Sequence, residues 1–135
     1  MRMPAALKKP FLNISIVCTV ALLAACVNPS DAVDSIDAVT ASPDKFTILL
    51  ENEHVRVIEY VLKPGESDEW HTHPPKSSYI VSGGRLKIHL DGGETLDVDE
   101  KRGTAAWMDA LGKHYAENVG ETEVKIVLTE VKNAR

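Results

Sequence analysis

Trp70-His71-Thr72-His73 places two imidazoles one residue apart. In an extended segment, side chains two apart point to one face, so His71 and His73 aim into a common space. Glu69 joins them on that face while the strand stays regular. Two neutral imidazoles a few ångströms apart form two sides of a divalent-metal site. Closing a sheet on itself brings distant strands face to face, so His114 on a later strand is the candidate third ring. Three imidazoles leave other coordination positions open to water or substrate, as a catalytic site requires. With no carboxylate in the set, a bound cation would stay a strong Lewis acid and favour an anionic ligand. The competing reading puts His71 and His73 on a solvated turn ahead of Pro74-Pro75.

The elements that must position these rings are short β-type runs. They fall at 46–50, 55–62, 78–82, 86–90, 94–98, 104–108, 113–118 and 123–131, separated by turn residues such as Pro64-Gly65, Gly83-Gly84 and Asp91-Gly92-Gly93. Seven or eight short strands at even spacing predict an all-β sandwich or barrel. No stretch after Phe46 keeps a helical period over three turns.

In this setting the sequence resembles the cupin superfamily. Gly65, five residues and His71-Thr72-His73 follow the first motif of that family, and Tyr79-Ile80-Val81-Ser82-Gly83 resembles its aromatic-aliphatic strand ending at the motif glycine. His114-Tyr115-Ala116-Glu117-Asn118 follows the His, three residues, Asn of the second motif, which Gly103 would open. The likeness spans about 49–132 and implies a double-stranded β-helix, a jelly-roll-like barrel. It also implies a metal site of His71, His73 and His114 for iron, manganese, nickel or zinc. Two positions depart from the pattern. The motif glutamate falls on Ser77 or Ser78 counted from His73, or near Lys76 counted back from the strand, and none is a carboxylate. The Pro-x-Gly of the second motif is replaced at Asp109 and Leu111.

Other residues divide by their surroundings. Glu69 and Tyr79 are candidates to move protons, and Glu69 could also supply the absent carboxylate. His54 and His89 read as surface or rim histidines. Trp70, Trp107 and Met108 suit core or rim packing. Arg56 lies between Val55 and Val57, so it is either an inward cation awaiting an anionic ligand or a solvated edge charge. Asn118 shares the strand parity of His114 and is placed to support it. Asp91, Glu94, Asp97, Asp99 and Glu100 read as a solvated hairpin face rather than a calcium loop.

The N-terminus reads as an address. Arg2, Lys8 and Lys9 precede an apolar run from Phe11 to Ala25 that is too short to span a bilayer stably. Leu23-Ala24-Ala25-Cys26 resembles the lipobox of bacterial lipoproteins, implying cleavage before Cys26 and acylation of its thiol. Val27 rather than Asp after that cysteine resembles an outer-membrane destination. The expected organisation is a signal peptide at 1–25, a flexible tether at 26–45 rich in Ala, Ser and Asp, and a β-barrel domain at 46–135. A short helix around 32–39 is compatible with that tether.

Removing 1–25 takes three of 15 basic residues and no acidic ones. The remaining 12 face 20 acidic residues, a balance of −8 rather than −5. That charge excludes nucleic acid as a partner and electrostatic adhesion to anionic lipid. Cys18 is removed and Cys26 blocked, leaving no thiol for a disulfide or a nucleophile.

The expected protein is a lipid-anchored, periplasmic cupin whose divalent metal acts on a small organic or sugar acid by dioxygenase, isomerase or lyase chemistry. The alternative is a non-catalytic small-molecule or sugar binding module of the cell envelope. Exposed strand edges would also allow a homodimer.

Overall fold

A computed structural model describes residues 35–132. The expected signal peptide, Cys26 and the first part of the expected tether lie outside the described residues. A one-turn helix α1 (Ala38–Ala41) leads into nine strands among the described residues: β1 (Phe46–Glu51), β2 (Val55–Leu62), β3 (His71–His73), β4 (Lys76–Ser82), β5 (Gly84–Leu90), β6 (Thr95–Glu100), β7 (Ala105–Met108), β8 (Leu111–Asn118) and β9 (Val124–Val131). The strand absent from the sequence expectation is β3, three residues long and lacking an alternating apolar pattern.

The strands form two antiparallel sheets, ordered β1-β2-β9-β4-β7 and β3-β8-β5-β6. They face each other as a double-stranded β-helix, and the expected closed barrel is corrected: hydrogen bonding does not join the two sheets into one.

Parity builds the core. Strands β2 and β9 are rich in β-branched residues and pair without a break from Val55↔Val131 to Leu62↔Val124. Their alternate residues Ile58, Tyr60 and Leu62, with Val124, Ile126 and Leu128, face the opposite sheet and are buried. Each such aliphatic side chain contributes roughly 1.5–3 kcal/mol when removed from water.

Gly83-Gly84 is where the chain crosses from the first sheet to the second. A Cβ on Gly83 would lie 2.1 Å from the Glu100 carbonyl oxygen, and one on Gly84 would lie 2.8 Å from Val124 Cγ2. Only glycine permits this approach of backbones. On the outward face of β4 and β7, Tyr79, Val81 and Trp107 are exposed.

The expected tether is also corrected at its C-terminal end. Asp37 caps α1, accepting a hydrogen bond from Thr40 N at 3.0 Å. Ala38 is fully buried in the core, and Thr72 N donates to Ile36 O at 2.8 Å along the edge of β3. This segment packs because alanine is small enough to seat against the sheet while its neighbours supply polar pairing.

Candidate metal centre

Strands β3 and β8 bring the rings together. His71 sits directly opposite His114 across the ladder, so their side chains share a face. A register shift after His71 leaves His73 opposite Leu111, still on the inner face. All three rings are buried, and their ligand atoms lie within 4.8 Å of one another. Phe46 meets His71 and His73 edge-on, with ring centroids 5.2 and 5.9 Å away, and helps fix their orientation.

Each ring is also fixed by its outer nitrogen. His71 Nδ1 donates to Glu69 O at 2.7 Å, and His114 Nδ1 donates to Gly112 O at 2.7 Å. His73 Nδ1 donates to Glu130 Oε1 at 2.5 Å. With the proton on Nδ1, every Nε2 keeps its lone pair. His71 Nε2 and His73 Nε2 then face each other at 3.0 Å with no donor between them. Two lone pairs at that distance repel unless a cation lies between or beside them. It is also a span that two imidazole nitrogens can adopt when each lies about 2.1 Å from one ion. The donor set therefore fits a divalent metal.

Behind His73 runs a chain of charges. Glu130 Oε2 accepts from Arg56 Nε at 2.7 Å and Nη2 at 2.6 Å, and that same Nη2 reaches Asp37 Oδ2 at 2.6 Å. Burial pushes the Glu130 carboxyl up, but His73 and Arg56 outweigh it and hold it below the usual range. A carboxylate behind a ligand imidazole raises its basicity and orients it.

Burial holds the His73 imidazole down to about 4 and that of His114 to about 3. In the unfolded chain both protonate near 6.5, so between pH 6.5 and about 4 the unfolded state binds more protons. Stability from these rings is complete above pH 6.5 and is lost as the pH falls through that window. Loss from Glu130 follows at lower pH, while Asp68, raised by burial, acts in the opposite sense. Urea unfolding of the metal-free protein should show a fall on the order of a few kcal/mol from pH 7 to pH 4. A flat profile would mean that the rings are not buried and neutral.

The rings open onto a cavity of about 310 Å³ between the sheets. Its walls are largely apolar, among them Phe46, Leu96, Leu111 and Leu128. Lys76 also lines it, is only 5 % exposed, and has its ammonium lowered by burial to about 8. Elsewhere on the wall Tyr60 Oη donates to Asp68 Oδ2 at 2.8 Å, and Ala116 N donates to Asp68 Oδ1 at 2.7 Å.

Residues 58–130, more than half of the chain, match the family model described as a cupin domain. The chain belongs to the cupin family. Three solved structures carry the same fold. One is a cupin domain from Bordetella pertussis Tohama I, 26 % identical with TM-score 0.59, covering 64 % of this chain and 91 % of that one. Another is an RmlC-like cupin family protein from Methanocaldococcus jannaschii, 19 % identical with TM-score 0.53, covering 64 % and 78 %. The third is a double-stranded β-helix protein from Klebsiella pneumoniae subsp. pneumoniae, 22 % identical with TM-score 0.52, covering 67 % and 78 %. No curated protein matches the sequence.

In this cupin the His-x-His pair and His114 meet as the sequence predicts, while several companions do not. The Glu69 side chain is exposed and outside the cavity wall, because the chain bends before β3 begins; its carbonyl, not its carboxylate, touches His71. Tyr79 is 50 % exposed, since Lys76, Ser78 and Ile80 take the inward parity of β4. Neither Glu69 nor Tyr79 is placed to act in the cavity. Asn118 donates to Leu62 O and Thr122 O and accepts from Gly120 N, so it braces the β8–β9 turn rather than His114. Arg56 points inward, but two carboxylates satisfy it. His54 is exposed, and His89 stacks on Tyr115 on the outer face at 4.2 Å between centroids. Trp107 is 58 % exposed rather than packed.

Glu130 is the residue that sequence reasoning missed. It continues the inward parity of Val124, Ile126 and Leu128, and a carboxylate on that side of a central strand was the available signal. Tyr60 and Asp68 were also missed. Tyr60 shares the inward parity of Ile58 and Leu62, but Asp68 lies in a loop where no periodicity applies.

Proposed function

We propose that this cupin is a metal-dependent enzyme acting on a small organic acid, held at the periplasmic face of the cell envelope by a lipid on Cys26. The observation that carries the catalytic reading is the opposed Nε2 pair of His71 and His73, 3.0 Å apart, with His114 beside it and all three Nδ1 atoms already engaged. Such a constellation holds a cation and leaves coordination positions facing the cavity. A divalent ion there supplies Lewis acidity toward a substrate oxygen.

The chain's own groups divide the remaining work. The apolar wall excludes water and strengthens electrostatic attraction inside the cavity. Tyr60 Oη, hydrogen-bonded to buried Asp68, is a protic group on the wall and takes the proton-handling role that Glu69 and Tyr79 are not placed to fill. Glu130 and Arg56 keep His73 in the tautomer that leaves Nε2 free.

Metal analysis of untagged protein tests the reading. About one iron, manganese, nickel or zinc per chain supports it, and a fully folded, metal-free protein that refuses all four ions favours the binding-module alternative. The anchor has its own test. Cys26→Ser should move the protein from the membrane fraction to the soluble fraction, and an unchanged distribution would remove lipidation from the proposal.

A further inference from the structure

Lys76 carries a charge without a partner suited to it. Its Nζ has one hydrogen-bonding neighbour among the described residues, Met108 Sδ at 3.6 Å, and a thioether is a weak acceptor. Glu130 lies opposite it in the β4–β9 register, yet its two oxygens are occupied by His73 and Arg56. Asp68, also on the cavity wall, has both oxygens engaged by Tyr60 and Ala116. A buried ammonium left in this state costs stability, and the open direction for an acceptor is the cavity itself.

We propose that Lys76 anchors the anionic group of the cavity's ligand, and that this ligand is a small monoacid with an apolar body. The inference rests on the reading of the cavity as a small-molecule site, but it does not require a metal. The wall supports the second half of the proposal. Leu96, Leu111, Leu128 and Phe46 offer no hydrogen bonds, and beyond the rings, Lys76 and the Tyr60–Asp68 pair only Ser78 and Glu100 add polar groups to the lining, so most hydroxyls of a sugar acid would lack partners there. A compact hydrophobic acid would bury its body against them while its carboxylate meets Nζ. The anion-seeking cation that sequence reasoning looked for at Arg56 is thus Lys76, which flanks the same β9 residue, Glu130, from the other side.

Benzoate is a suitable probe, with benzamide as its neutral counterpart, titrated calorimetrically into metal-free and metal-loaded protein. Benzoate should bind about ten- to a hundredfold more tightly than benzamide, the range expected for a charge-assisted hydrogen bond in a buried site. Lys76→Met conserves volume and removes a buried charge, so it should fold, keep its metal and lose that preference. Equal binding of the two probes to the unaltered protein would overturn the proposal, as would no binding of benzoate at millimolar concentration. Benzoate binding that survives Lys76→Met but vanishes in a His71→Ala/His73→Ala variant would also overturn it, because the acid would then sit on the metal. Preference for benzoate in protein that takes up no metal would sustain the Lys76 anchor and refute the metal-dependent function.

Discussion

A His71→Ala/His73→Ala double variant is expected to lose its divalent metal altogether, from about one ion per chain to a trace after dialysis. Losing a group that merely supports a ligand costs roughly 10–100-fold in affinity. Removing two ligands outright should therefore cost on the order of a thousandfold or more. His114 would remain as a lone imidazole, held by Gly112 O but with nothing to share an ion with. Thermal unfolding gives an independent readout, because a ligand that binds only the native state raises its midpoint. Added metal should stabilise the unaltered protein and leave the double variant unmoved. Stoichiometric metal in the variant would place the ion elsewhere and end the proposal for this site.

Arg56→Ala should destabilise the fold by about 3 kcal/mol, the lower end of the cost of breaking a buried ion pair. The lower end applies because the Arg56 side chain retains 15 % exposure while Glu130 keeps only 2 %. The loss comes from what is left behind. Glu130 would be buried with no hydrogen-bonded cation, keeping only the donation from neutral His73 and the more distant charge of Lys76, and Asp37 would lose its bridge to β2. The same substitution should weaken metal binding roughly 10–100-fold, since the carboxylate behind His73 loses its positioning partner. Urea melts with an unchanged slope and a lower midpoint would report the first effect, and competition with a chelator the second. A stability loss within 1 kcal/mol would class the pair with ordinary surface contacts.

Strand parity made most of the fold and the rings legible. The eight-residue run of β2 falls where the β-branched pattern places it, and β9 differs from its expected run by one residue at the start. The convergence of His71, His73 and His114 followed from strand parity together with the family likeness. Parity failed where the chain is not regular. Glu69 precedes β3 by two residues, so the alternation that would have turned it inward has not yet begun. Tyr79 was misjudged for the opposite reason: β4 is regular, and its parity points outward with Ser77 and Val81. Glu130 was hidden, and the direction of Lys76 stayed undetermined between pocket and solvent, because polar residues on inward positions look like breaks in an apolar pattern. Only the opposite sheet shows what surrounds them. The expected tether failed through composition, since Ala and Asp read as solvated until one alanine has a socket and one aspartate has an arginine.

Where the β pattern starts, at Phe46, is where an experimenter would trim this chain, and the cut would be a mistake. It would unplug Ala38 from the interior, strip the exposed side of the three-residue strand that presents His71 and His73, and halve the acidic counterweight to Arg56. The upstream stretch is a buttress for the imidazole pair, so the scaffold of the pocket begins before its first strand.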